Sequence, residues 1–195
     1  MKTLTEEQFN NYWVEFINFF EKAGLKDYQD IDELKKAMKY SAAATSDESG
    51  AAYPGALLRH INLVCALGLR LAKMVSNTFP ITEESLLKVC ILNQLSKVEM
   101  FVLNDNDWEV TKRGLNYKFL EQDGCLKLGE RSLLKAMSSG IKFTPIEFEA
   151  MRVLDRTPEE LKLYNGRLSM LSIIVKTAND MAFALEKEQW KNENK

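Results

Sequence analysis

The chain has 195 residues, 46% of them hydrophobic and 28% charged, and carries a formal net charge of −2. That balance belongs to globular proteins with a sizeable core, hiding roughly 70% of the surface their unfolded chains expose. It excludes a disordered or fibrous chain, and it offers no net pull toward nucleic acid or anionic lipid.

The opening Met1–Glu7 reads as a helix cap, with Thr5 as N-cap and Glu6 and Glu7 in the positive first turn, rather than as a secretory leader. Phe9, Trp13, Phe16, Ile17 and Phe20 follow at helical spacing as one aromatic face. That face reads as core packing, with a docking or dimer surface as the alternative. Gly24 stops this helix, and a second runs from Asp30 to Tyr40 through Ile31, Leu34 and Met38. The small, polar stretch 41–50 is expected to be a loop. Pro54 to Val75 is expected as a long, mostly buried helix with proline in its first turn. Thr82 caps the next, which turns Leu86, Leu87, Cys90, Ile91 and Leu95 inward.

Residues 101–120 break the helical rhythm. Asn104-Asp105-Asn106-Asp107 is a turn signal between Met100–Leu103 and Trp108–Thr111, so a small β-hairpin or an irregular excursion is expected there. Helices follow at Glu130–Ser138, behind the capping box Thr144-Pro145-Ile146-Glu147, and behind the similar Thr157-Pro158-Glu159-Glu160. A last helix, about Asn165 to Lys187, places Leu168, Leu171, Val175, Ala178, Ala182 and Leu185 on one face, and the final four residues should fray. The fold class is mainly α with a minor β element, over one domain of residues 1–195 whose first 40 residues form a helical extension packed on the rest.

No apolar run approaches the roughly 20 residues needed to cross a bilayer, so no membrane partner is expected. Cys65, Cys90 and Cys125 form no Cys-x-x-Cys pair; the first two read as small buried residues and Cys125 as the most exposed, and the expected compartment is the reducing cytoplasm. There is no glycine-rich phosphate loop and no nucleophile elbow, and His60 is the single histidine available to any catalytic pair.

His60 follows Pro54-Gly55-Ala56-Leu57-Leu58, and some thirty residues later Asn93-Gln94 ends an apolar helix, with Lys97 just beyond. Leu128-Gly129-Glu130-Arg131-Ser132 and Thr177-Ala178-Asn179-Asp180-Met181-Ala182 complete the series. Over residues 40–187 this order resembles the HD-domain phosphohydrolases, helical enzymes with a lone His, a later His-Asp pair and a distant Asp as metal ligands. The resemblance implies an HD-like helical bundle. Asn93 and Gln94 stand at the paired-ligand positions, Leu128 where some branches carry a further His, and His60 and Asp180 at the surviving ligand positions. His60, Asn93, Gln94, Leu128 and Asp180 would thus form a vestigial site, with Lys97 and Arg131 as candidate anion contacts. Without that pattern, His60 reads as a hydrogen-bonded helix residue, Asp180 as a solvated edge residue, and Lys97 and Arg131 as surface cations.

The departures set the chemistry. Neutral amides are weak ligands, and two good ligands do not hold a transition metal firmly. No cofactor is expected beyond a weakly held divalent ion at His60 and Asp180. The expected role is non-catalytic, binding a nucleotide, another phosphate-containing anion or a protein partner, a homodimer included. The alternatives are a metal-dependent phosphohydrolase with a reduced site and a structural interaction protein whose cleft is closed.

Overall fold

The computed structural model describes residues 3–26, 28, 30–120, 126–162 and 167–193. Cys125, the expected start of the last helix at Asn165, and the final two residues lie outside them. Among the described residues the chain forms nine helices and one antiparallel pair of strands: α1 (Glu6–Lys22), α2 (Ile31–Met38), α3 (Ala56–Val75), α4 (Glu83–Leu95), β1 (Phe101–Leu103), α5 (Asp107–Arg113), β2 (Tyr117–Phe119), α6 (Leu128–Ser138), α7 (Pro145–Val153), α8 (Pro158–Lys162) and α9 (Met170–Glu193). None of these helices is long and apolar enough to cross a membrane.

α3 is the hub, packing against α9, α4 and α1, while α6 lies on α4 and α7 on α9. The centre of that arrangement is the apolar stripe Leu57, Leu58, Ile61, Val64 and Cys65 of α3 against Leu86, Leu87, Cys90 and Ile91 of α4, all essentially inaccessible. Burying each such side chain contributes about 1.5–3 kcal/mol. The aromatic face of α1 is core: Phe9, Trp13, Phe16 and Phe20 are buried, with successive ring centroids 6.5, 5.3 and 5.3 Å apart. Cys65 and Cys90 are buried free thiols, and burial pushes the Cys65 thiol up.

Caps set the helix starts. Thr5 accepts from the Gln8 N–H while Gln8 reaches back to Thr5, and Thr144 and Glu147 exchange the same pair of bonds. The buried Glu147 also accepts from Ser85 (2.7 Å) and Lys88 (3.0 Å), tying α7 to α4. Burial raises its pKa, but the Thr144 N–H and these two donors outweigh that and hold the carboxyl below its ordinary value.

Four expectations change. The third helix begins at Ala56, two residues after Pro54, because the Ala56 N–H already closes a turn onto the Tyr53 carbonyl. The asparagine-rich segment does not turn one strand into the next. Asn106 instead caps a helix, its side chain accepting from Trp108 and Glu109 N–H, so Trp108–Thr111 is helical and the second strand comes later, pairing Phe101 with Phe119 and Leu103 with Tyr117. Leu185 is half exposed, because the inward stripe of α9 runs through Val175, Ala178, Asn179, Ala182 and Glu186. Finally, Asn192 and Glu193, expected to fray, lie at the tail of α9, where Gln189 bonds Glu193.

The stretch 41–50 has little regular structure, yet it is not a solvated loop. Ser41, Ala42 and Ala43 are buried, Ser46 bridges Leu115, and the Tyr117 N–H donates to the Thr45 carbonyl at 3.2 Å. It forms a strap from the strand pair to α9. Gly50 makes the far end possible: with φ of +72°, a Cβ there would lie 2.1 Å from the Glu186 carbonyl oxygen.

Candidate functional site

Three core helices deliver the polar residues. His60 sits in the second turn of α3, Asn93 and Gln94 at the end of α4, and Asn179 and Glu186 two turns apart on the inward stripe of α9. His60 is fully buried. Its Nδ1 donates to Glu186 Oε2 at 2.9 Å, and its Nε2 lies 3.2 Å from Asn179 Oδ1. The same Asn179 oxygen accepts from Gln94 Nε2 at 2.8 Å. Asn93 donates instead to the Met151 carbonyl of α7 at 2.9 Å, while its own carbonyl accepts from Ser132 of α6. The Phe183 ring packs on the imidazole, centroids 4.2 Å apart.

Beside this network lies a cavity of about 330 Å³. Its polar lining is Asn93, Gln94, Lys97, Asn179, Asp155 and Thr45, and its apolar lining includes Phe101, Phe119, Phe183, Leu128 and Leu154. The strap supplies one wall, the strand pair another. Lys97 is only 6% exposed, and its ammonium stands 4.7 Å from the centroid of the Phe183 ring. Among the described residues no carboxylate lies within ion-pair distance of Lys97. Burial pushes its pKa down from 10.5 to about 8, opposed by the negative field of Glu186. Two buried oxygens on the lining residues, Gln94 Oε1 and Asp155 Oδ1, have no hydrogen-bond partner among the described residues, although the other Asp155 oxygen accepts from the Gly129 N–H.

The expected site residues divide accordingly. Asn93, Gln94, Leu128 and Lys97 line one cavity, and His60 joins it through Asn179. Asp180 does not: its side chain is 58% exposed and pairs with Lys176, one turn earlier, at 3.1 Å. Neighbours on a helix lie about 100° apart, and the inward stripe passes through Asn179. Arg131 directs its Nε to the Leu126 carbonyl at 3.0 Å, just ahead of its own helix.

The residues that sequence reasoning passed over are Asn179, Glu186, Phe183 and Asp155. For the first two a signal existed. Val175, Asn179, Ala182 and Glu186 follow the i, i+4, i+7, i+11 rhythm of a buried stripe, and two polar residues on such a stripe need partners.

The donor set does not fit a tightly held transition metal. Both His60 nitrogens are engaged, and Asn93, Gln94 and Asn179 offer only neutral amide groups. Among the described residues no three His, Cys, Asp or Glu side chains gather around a shared point. What the arrangement offers is a largely apolar pocket with a buried cation, Lys97, and acceptors unused among the described residues. A second depression of about 420 Å³, between Phe79, Pro80, Ile146 and Met170, has no ionisable lining residue. No family model matches the chain, and neither a curated protein nor a solved structure is significantly similar to it.

Proposed function

We propose that this chain is a non-catalytic binding module, a degenerate HD-like helical domain that takes a small anionic ligand with an apolar body into the cavity at Lys97. The observation that carries the reading is the state of that lysine: a buried cation, unpaired by any described carboxylate, facing a space of ligand size. Burying an unpaired charge is costly, and a ligand anion supplies the missing partner. Phe101, Phe119 and Phe183 give the ligand an apolar bed. The relation to HD-like domains is supported by the order of the polar residues along the chain, with His60 on α3 and Gln94 at the end of α4 both beside Asn179 on α9, although Asn93 turns to Met151 and Asp180 to Lys176. The hydrolase alternative draws no support from a donor set of amides, and a 330 Å³ cavity speaks against a closed cleft.

The test is a calorimetric titration with benzoate and phenyl phosphate on the parent and on Lys97→Met. Both anions should bind the parent, more weakly as salt rises, and the variant should lose about tenfold or more in affinity, the scale of one charge-assisted hydrogen bond. Equal binding by parent and variant would overturn the proposal.

A further inference from the structure

The cavity is not simply electropositive. Lys97 supplies one charge, but Asp155 of the α7–α8 connection lines the same space and supplies the opposite one. Its carboxyl is half used: one oxygen accepts from the Gly129 N–H at 3.3 Å, and Oδ1 is buried with no partner. Gln94, 1% exposed, is half used in the same way. Its Nε2 serves Asn179, and its Oε1 has no partner. Buried acceptors left unpaired cost about 1–3 kcal/mol each, and native structures keep few of them. Two of them, on residues that line one cavity and opposite in character to the Lys97 ammonium that no described carboxylate pairs, form a pattern. It is complementary to a molecule with an anionic end and a donor end. A purely anionic ligand satisfies Lys97 but brings a like charge toward Asp155 and leaves both oxygens bare.

Resting on the anion-binding reading above, we infer that the ligand of this cavity is bipolar: a small molecule that places an anionic group at Lys97 and an ammonium or N–H donor at Asp155 and Gln94, joined by an apolar, ring-sized body packed on the phenylalanines. Amino-substituted aromatic acids are the simplest members of this class.

Matched probes separate the terms. The 3- and 4-(aminomethyl)benzoates carry both charges, the corresponding methylbenzoates only the anion, and the methylbenzylamines only the cation, all on the same ring. At neutral pH, calorimetry should rank the better aminomethylbenzoate about tenfold or more above its methylbenzoate, the worth of one additional charge-assisted hydrogen bond. This ranking is read on the parent protein and needs no variant to fold. Asp155→Asn keeps a carbonyl for Gly129 and can turn an amide N–H₂ toward the ligand. It should abolish the advantage of the amino group and, by removing a like charge, leave methylbenzoate binding as tight as in the parent or tighter, whereas Lys97→Met should weaken both acids. Equal binding of the two acids to the parent, with loss in Lys97→Met, would refute the bipolar ligand and leave the anion site standing. Tightest binding by the methylbenzylamine, or no binding by any acid, would overturn both.

Discussion

Asn179 and Asp180 are adjacent, yet one is knotted into the core and the other stands in water. Asn179 Oδ1 accepts from Gln94 Nε2 and lies 3.2 Å from His60 Nε2. Asn179→Leu would leave the Gln94 amide nitrogen in the core without an acceptor, at a cost of about 1–3 kcal/mol in denaturant unfolding. Asp180→Ala removes an exposed contact to Lys176 and should change stability by less than about 0.5 kcal/mol. The reverse order would mean that the helix faces the other way around. Lys97 makes a prediction with two opposed slopes. Below about pH 8 the folded and unfolded states both hold its proton, and the folded state carries the cost of burying the charge. Between about 8 and 10.5 the folded state releases the proton while the unfolded chain keeps it, so stability should rise with pH across that window. Lys97→Met should lack this rise and should be more stable than the parent at neutral pH by about 1–2 kcal/mol. Anion affinity runs the other way, falling as pH climbs through about 8 and the ammonium discharges. Parallel unfolding and binding measurements across pH check both signs.

Among the elements, α6 and α7 meet at a joint with no room for a side chain. A Cβ on Gly129 would lie 2.1 Å from the Met151 carbonyl oxygen, the same oxygen that accepts from Asn93. Gly129→Ala must therefore spread the two helices or break the Asn93 bond, and should cost about 2–4 kcal/mol, visible as a lower denaturation midpoint at unchanged m-value. Elements such as α1, α4 and α7 could be read from the sequence because local signals agree there: a capping residue, an acidic first turn and an apolar stripe all name the same boundaries. The segment around Asn106 misled because one residue type serves two purposes, a turn between strands or the N-cap of a helix, and the choice depends on long-range pairing of Phe101 with Phe119. The stretch 41–50 is the loop that its small polar residues announce, but its burial was not legible, because that depends on the strand pair and α9 that cover it. The polar centre was half legible. His60, Asn93 and Gln94 were marked by their order along the chain, but the exchange of Asp180 for Asn179 needed helix phase, and Asp155 follows no periodic pattern at all.

At the scale of the whole molecule, the cavity sits between parts of very unequal stability. Its back wall, on α4 and α9, belongs to the most deeply buried region of the protein. Its front consists of two three-residue strands and the strap that hangs on them by the Tyr117–Thr45 and Asp47–Gly114 backbone bonds. A two-stranded ribbon of this length holds little free energy of its own. The front should therefore open many times for each global unfolding event, and hydrogen exchange should resolve the difference. Amides of Leu103, Tyr117 and Asp47 should exchange orders of magnitude faster than those of Ile61 or Ile91, by an opening that denaturant barely accelerates. Exchange of all these amides at one common rate would show a front locked to the core. The kinetic consequence concerns entry rather than affinity. Phe101 and Phe119 of the ribbon line the cavity that a ligand enters, so a substitution that loosens the ribbon, such as Phe119→Ala, should speed arrival and departure together.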